Sequence, residues 1–194
     1  MSDATEIRFS GFGGQGVILM GIVLARAAAL YDRPTDEDGK VVKKTAVQTQ
    51  SYGPSARGGH SKCDVKISAK EMHYPFVEVP DYLIILSQQA YAKYIHDRKP
   101  ETRIIIDPDL VRERPKGEVY MIPATASAEE LGTRIVANVV MLGALREISQ
   151  IVSHEALERA LFETLPKVTH DLNRKALELG AKLGREALEA AGKG

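Results

Sequence analysis

The chain has 194 residues, of which 44% are hydrophobic and 27% are charged, values that are ordinary for a globular protein. This length is typical of one domain and is ample for a hydrophobic core. The 26 basic residues balance the 26 acidic residues, so no net charge favours nucleic acid or an anionic membrane. We therefore expect no nucleic-acid partner and no membrane partner.

Cysteine usage and the N-terminal residues limit the protein further. Cys63 is the only cysteine, which excludes an intrachain disulfide and cannot supply the four thiolates of an iron–sulfur cluster. We expect it to act as a small hydrophobic residue of a strand. Residues 1–6 lack the basic and apolar regions of a signal peptide, and Arg26 interrupts the longest apolar helix. These features predict a cytoplasmic protein.

A glycine-rich turn lies between the first predicted strand and the first predicted helix. Residues 6–10 alternate as in a strand, and residues 17–30 are rich in Ala and Leu and free of Pro, as in a buried helix. A strand, a turn and a helix in this order predict a Rossmann-like opening βα unit, whose helix N-terminus could receive an anion. The G-x-G-x-x-G turn contributes the first predicted site residues, which are Gly11, Gly13, Gly14, Gln15 and Gly16.

A second glycine-rich loop joins a predicted strand at residues 41–50 to a predicted half-exposed strand at residues 61–68. The two strands are expected to form a hairpin. Its ten-residue connection is longer than the commonest hairpin loops, so we expect the loop to have a function. Arg57 offers a planar fork of donors to a carboxylate or a phosphate, and Tyr52 can stack on a ring or fill a partner's pocket. The alternative is an ordinary surface loop in which Arg57 meets an acidic side chain.

Further along the chain, short apolar stretches are typical of strands that are buried on both faces. They comprise residues 82–86, 103–107 and 118–123. Their alternation with helical stretches predicts an α/β fold, in which a mainly parallel sheet is flanked by helices.

The remainder of the chain has a helical pattern. Ser153 is a suitable N-cap for one helix, and Pro166 ends that helix. We expect residues 1–152 to form the α/β domain and residues 153–194 to form a helical C-terminal extension of the same domain. The last helix contains two residues that are expected to weaken it slightly, Gly180 and Gly184.

Dinucleotide binding is the first hypothesis for the glycine-rich turn. A dinucleotide site also needs an acidic residue about twenty positions further on, at the end of the second strand, to hold the ribose. Asp32 lies near that distance, but it falls in the loop after the helix, and residues 41–50 contain no acid. The sequence therefore disfavours NAD or FAD. Two interpretations are left open. The turn is either a tight connection that binds no ligand, or it packs on a partner subunit or borders the cofactor of that subunit.

No catalytic or metal-binding group emerges from the sequence. The five histidines have no metal-ligand spacing, and both the G-x-S-x-G and the phosphate-loop motifs are absent. Asp107 and Asp109 lie close together after a predicted strand, where a turn with a helix cap explains them. We therefore predict binding loops, no catalytic residue and no metal site.

The two glycine-rich motifs, in this order and at this separation, resemble a known family. They are residues 11–17 (GFGGQGV) and residues 49–59, which contain TQSYGP and ARGG. Together they resemble the gamma subunit of 2-oxoacid:ferredoxin oxidoreductases, over most of the chain. The TQSYGP form is most similar to the 2-oxoglutarate branch, and the pyruvate and ketoisovalerate branches are close alternatives. The second motif contributes the other predicted site residues, which are Ser51, Tyr52, Gly53, Arg57, Gly58 and Gly59.

The resemblance implies a non-catalytic gamma subunit of a larger enzyme. The assembled enzyme converts a 2-oxo acid, coenzyme A and oxidised ferredoxin to an acyl-CoA, carbon dioxide and reduced ferredoxin. Thiamine diphosphate and Mg²⁺ are then expected in the alpha and beta subunits, and 4Fe–4S clusters in the beta subunit or a small ferredoxin-like delta subunit. The chain alone is expected to bind none of these cofactors.

These observations lead to one structural hypothesis and two alternatives. We expect both glycine-rich loops to lie together at the carboxyl edge of the sheet, facing a partner subunit. Arg57 would contact a carboxylate or a phosphate there, and Gln15 would form a hydrogen bond across to the partner. The alternatives are a free-standing nucleotide- or flavin-binding protein and a homo-oligomeric scaffold without a ligand.

Overall fold

A six-stranded mixed sheet forms the centre of the computed structural model, which describes residues 4–52 and 59–192. The strand order is β2-β3-β1-β4-β5-β6. Strands β1, β4, β5 and β6 are parallel, whereas β3 runs antiparallel to both of its neighbours. The predicted α/β fold with a mainly parallel sheet is confirmed. The strands are β1 (Ala4–Phe12), β2 (Thr45–Tyr52), β3 (His60–Ser68), β4 (Tyr82–Ile85), β5 (Arg103–Ile106) and β6 (Val119–Met121).

Helices cover both faces of the sheet. Helices α1, α3, α4, α5 and α6 share one hydrophobic core with one face, and α2 packs on the other face. None of the helices in the described ranges is both long enough and apolar enough to cross a bilayer. The helices are α1 (Val17–Arg26), α2 (Gln88–Tyr94), α3 (Ala124–Glu130), α4 (Ala137–Ser149), α5 (His154–Thr164) and α6 (His170–Ala191).

Three shorter helical turns and two serine caps complete these elements. A π-helical turn, Ala27–Tyr31, continues α1, and 3₁₀ turns at Arg134–Val136 and Lys167–Thr169 precede α4 and α6. The predicted cap of α5 is confirmed, because the side chain of Ser153 accepts a hydrogen bond from the Ala156 amide. Ser87 caps α2 in the same way. These caps fix where the two helices begin.

The predicted hairpin is confirmed, since β2 and β3 pair antiparallel on either side of the second glycine-rich loop. The prediction that β3 is half exposed is wrong. One face of β3 places Cys63 and Val65 in the core, and Asp64 on the opposite face is only 3% exposed. The alternation of polar and apolar residues predicted an exposed polar face, but an ion-pair network covers that face of the strand.

Arg8 is the centre of that network. Its guanidinium, on β1, donates to both carboxylate oxygens of Asp64 at 2.8 and 3.0 Å and to Asp97 at 2.8 Å. It also donates to the Val77 carbonyl at 2.6 Å. Removing one partner of such a buried pair leaves an uncompensated charge, which typically costs about 3–5 kcal/mol. The network therefore joins β1, β3 and the chain segment before β4.

Helices α4 and α6 approach so closely that their contact requires glycine. A Cβ atom added at Gly180 would overlap the carbonyl oxygen of Val140, and one added at Gly184 would lie 2.8 Å from the Ala144 carbonyl oxygen. Gly143 faces α6 at the same crossing. The two glycines that were expected only to weaken α6 instead permit its packing on α4. The C-terminal helix is thereby held against the sheet domain.

We predict that Gly180→Ala lowers the free energy of unfolding by about 1–3 kcal/mol, because the added methyl group forces α6 away from α4. Urea unfolding of the purified chain measures the change. Gly192→Ala is the matched control, since a Cβ there meets nothing closer than 3.6 Å. Equal stability of the two variants would contradict the close contact.

Candidate binding site at the carboxyl edge of the sheet

The described ends of the two glycine-rich loops meet at one edge of the sheet. The Gly13 amide donates to the Gly59 carbonyl at 3.1 Å, directly beyond the last pair of the β1–β3 ladder, Phe12 and His60. Ser51 and Tyr52 end β2 beside this junction, and Tyr52 is 64% exposed. The structure thus brings together loops from distant parts of the sequence. Three predicted site residues, Gly53, Arg57 and Gly58, lie outside the described residues.

Backbone geometry explains two glycines of the first loop. Gly14 and Gly16 have φ angles of 96° and 73°, in the left-handed region that favours glycine. Gly16 is also the N-cap of α1, and a Cβ there would overlap the carboxamide of Asn138. As a glycine, Gly16 has no side chain with which to cap the first amides of α1. Among the described residues these amides are therefore not capped by the N-cap residue, which is compatible with an anion at this turn.

Gln15 ties the first loop to the end of β4. Its Oε1 accepts a hydrogen bond from the Phe12 amide at 2.6 Å, and its Nε2 donates to the Leu86 carbonyl at 2.7 Å. The chain leaves β1 for α1 on one face of the sheet and leaves β4 for α2 on the other face. Adjacent strands that diverge in this way form the crevice where open α/β sheets bind ligands. Gln15 spans that crevice, a role within the chain that the sequence did not predict, and its bond to another subunit stays a prediction.

A cavity of about 520 Å³ lies beside the first loop, next to the N-termini of α1, α3 and α4. Leu19, Leu86 and Ile135 are among its apolar walls. Of its polar residues, Gln15 was predicted and Asp107 was assigned to a turn, whereas sequence analysis missed Thr125, Arg134 and Asn138. The sequence contains one indication of this site. Asn138 is the only polar side chain in the apolar run of residues 137–145, and a polar residue in such a run often has a specific role.

Asp107 is fully buried where β5 ends. Its carboxylate accepts hydrogen bonds from the amide and hydroxyl of Thr125, at 2.8 and 2.6 Å, and from the Asp109 amide at 3.0 Å. Burial raises the pKa of Asp107, although these hydrogen bonds act in the opposite direction. The interpretation of a turn with a helix cap is therefore confirmed, since Asp107 caps α3 from outside the helix.

Asp32 serves the fold at the opposite end of α1. Its carboxylate pairs with Lys44 at 2.7 Å and accepts a hydrogen bond from the Ser153 amide at 2.9 Å. Burial alone would raise the pKa of Asp32, but the bonds from Lys44 and Ser153 outweigh it and lower that pKa. Helix α1, which has ten residues and is about 15 Å long, and the π-helical turn Ala27–Tyr31 together separate Asp32 from the glycine-rich turn. Asp32 is therefore too far away to hold a ribose there.

The residues of this chain do not fit a metal cluster. Cys63 is fully buried in β3, where burial raises the pKa of its thiol to about 11. Across residues 4–52 and 59–192, no three His, Cys, Asp or Glu side chains are grouped as metal ligands. Since an iron–sulfur cluster needs several thiolates, one buried thiol cannot hold it. Cys63 behaves as the small strand residue that was predicted.

We predict that Gln15→Ala lowers the free energy of unfolding by about 1–3 kcal/mol, because the Phe12 amide and the Leu86 carbonyl lose their partner in a partly buried crevice. Urea unfolding measures the loss. Gln89→Ala, at an exposed position of α2, is the control and should cause no loss. An unchanged stability of Gln15→Ala would show that the tie between the loop and β4 is dispensable.

Comparison with known proteins identifies the family. Residues 6–183 match the family model described as pyruvate ferredoxin/flavodoxin oxidoreductase. The chain is 49% identical to the 2-oxoglutarate synthase subunit KorC of Methanocaldococcus jannaschii, over 93% of this chain and 94% of that protein. It is 46% identical to the protein of the same name from Methanothermobacter thermautotrophicus strain Delta H, over 92% of this chain and 94% of the relative.

A solved structure agrees with these relatives. The crystal structure of the gamma subunit of keto/oxoacid ferredoxin oxidoreductase from Geobacter sulfurreducens PCA superposes with a TM-score of 0.82 at 40% identity. The match covers 96% of this chain and 99% of that chain. The resemblance that the two glycine-rich motifs indicated is confirmed. The chain belongs to the pyruvate ferredoxin/flavodoxin oxidoreductase family.

Proposed function

We propose that the chain is the gamma subunit of a thiamine-diphosphate-dependent 2-oxoglutarate:ferredoxin oxidoreductase. The observation that carries the proposal is the match, over nearly the full length of both chains, to two subunits named for 2-oxoglutarate synthase. The complex performs the coenzyme A-dependent oxidative decarboxylation of 2-oxoglutarate to succinyl-CoA and carbon dioxide and reduces ferredoxin. The gamma subunit supports this reaction without supplying a catalytic residue.

The donor groups of this chain support a division of labour between the subunits. One buried cysteine and the lack of grouped metal ligands in the described residues fit a complex whose metal cofactors are held by other chains. Thiamine diphosphate and Mg²⁺ belong to the alpha and beta subunits, and 4Fe–4S clusters belong to the beta subunit or a small ferredoxin-like delta subunit. Coenzyme A is the co-substrate, and ferredoxin accepts the electrons of the complex. The assembly works in the cytoplasm.

The two-loop surface, defined as residues 11–16 and 51–59, is the part of the chain that meets the other subunits. Two features support this proposal. Gly13, Gly14 and Tyr52 are exposed, and the Gly13–Gly59 hydrogen bond holds the two loops in a fixed relation. Because this bond already joins the described ends of the two loops, these ends lose little conformational entropy when a partner covers them.

The alternatives have less support. A free-standing nucleotide- or flavin-binding protein would use the crevice between β1 and β4, where Gln15 already bonds to both sides. It would also need an acid near the ribose, whereas Asp32 lies at the far end of α1. A ligand-free homo-oligomeric scaffold would not explain why the relatives are named as subunits of oxidoreductases.

Omission of this chain tests the proposed function. When this chain is produced together with its alpha and beta partners, we predict that the three subunits co-purify and that the complex reduces ferredoxin in the presence of 2-oxoglutarate. A complex made without this chain should lose most of that activity, and adding the purified chain should restore it. Full activity in its absence would contradict the proposal. Pyruvate and 2-oxoisovalerate, assayed in parallel, separate the branches of the family.

Arg57→Ala tests the second loop. We predict lower activity or weaker assembly of the complex, because the guanidinium can meet a carboxylate or a phosphate bidentately. The isolated variant should keep the unfolding midpoint of the wild-type chain. Arg112→Ala, at an exposed position between β5 and β6, is the control and should change neither property. Unchanged turnover and subunit stoichiometry in Arg57→Ala would refute this role.

A further inference from the structure

Two basic side chains, His60 and Lys93, meet beside the two-loop surface. His60 begins β3 directly after Gly59, whose carbonyl accepts the bond from Gly13. Lys93 lies in the last turn of α2, and α2 packs on the face of the sheet that carries the side chains of His60 and Asp64. The Nζ atom of Lys93 and the Nε2 atom of His60 are in hydrogen-bond contact. The second loop thus ends on a basic pair that sequence analysis did not identify.

Neighbouring cations have acidic partners, but this pair has none among the described residues. Lys62 pairs with Asp64 at 2.9 Å, and Arg8 pairs with Asp64 and Asp97. Both nearby carboxylates are therefore already engaged. Within the described ranges, Lys93 forms no ion pair with a carboxylate, and its hydrogen bond goes to another base. An excess of positive charge is left at the margin of the loops.

The same geometry keeps both nitrogen atoms close together and accessible. The ring of Tyr94 lies edge-on to the His60 ring, with centroids 6.2 Å apart, and the Lys93 ammonium lies 5.2 Å from the Tyr94 centroid. Tyr94 itself is buried, and on its inner side the Arg8 guanidinium lies 5.7 Å from the ring centroid. A buried aromatic ring thus supports the basic pair from below and leaves its outer side to solvent.

An anionic ligand would be a better partner for the donors of Lys93 and His60 than the two side chains are for each other. A lysine ammonium donates to an imidazole nitrogen only when that nitrogen carries no proton. A carboxylate or a phosphate placed beside them could accept a hydrogen bond from each, and its negative charge would offset the ammonium charge, which a neutral imidazole cannot do. The chemistry of the pair therefore favours an anionic ligand.

We propose that His60 and Lys93 bind an anionic group of the ligand that reaches the two-loop surface. The proposal rests on the proposed function, which brings two anionic ligands to the complex. One source of the group is a carboxylate of the 2-oxo acid, and the other is a phosphate of coenzyme A. The pair acts on ligand binding and takes no part in bond making or breaking, so its loss should raise KM and leave kcat nearly unchanged.

The test uses the assembled complex with Lys93→Met, Lys93→Arg or His60→Gln in this subunit. Lys93→Met is expected to raise the KM for one of the two ligands about tenfold and to keep kcat within about twofold. Lys93→Arg should restore binding because it keeps the charge and the donors. Lys175→Met, at an exposed position of α6, is the matched control and should change neither constant.

Calorimetric titration of each complex with each ligand gives a second measurement that does not depend on turnover. Weaker binding of coenzyme A alone identifies the phosphate, and weaker binding of the 2-oxo acid alone identifies the carboxylate. If wild-type and Lys93→Met complexes bind both ligands equally, the assignment of the pair is overturned while the proposed function stands. A wild-type complex that neither turns over nor binds these ligands contradicts the proposed function itself.

Discussion

The pairing of β1 with strands on both of its sides determines where the glycine-rich loops can be. Because β3 runs antiparallel to β1 and β4 runs parallel to it, the end of β1, the start of β3 and the end of β4 all lie at one edge. The Gly13–Gly59 bond closes the junction on one side, and Gln15 closes it on the other. Arg8, buried beneath this edge, fixes β1 against β3 through Asp64. The position of the proposed two-loop surface depends on this central strand.

That arrangement also gives the Rossmann-like first βα unit features that differ from those of a dinucleotide site. The crevice beside the glycine-rich turn is spanned by the Gln15 side chain, and the acid at the expected sequence distance, Asp32, instead joins Lys44 to the start of α5. A fold does not by itself determine function. In the proposed function, the same edge of the sheet carries two glycine-rich loops and a basic margin that face a larger assembly.

Local sequence signals predicted the features that depend on nearby residues. The α/β class, the β2–β3 hairpin and the Ser153 cap follow from periodicity, turn composition and capping chemistry, and all three are confirmed. Contacts between distant residues left no such signal. The burial of Asp64 depends on Arg8, 56 positions away, and the need for Gly180 depends on the backbone of α4. The pair formed by His60 and Lys93 was equally hidden, since neither residue belongs to a motif.

Hydrogen–deuterium exchange of this chain, alone and within the assembled complex, tests most directly whether the two-loop surface is where the larger enzyme is completed. The account predicts slower exchange in the complex for peptides that cover residues 11–17 and 50–60, because a partner subunit covers the two loops. It predicts little change at residues 32–38, which follow α1 and its π-helical turn at the end opposite to the glycine-rich turn. Slower exchange that spares both loops and appears elsewhere on the chain would contradict it.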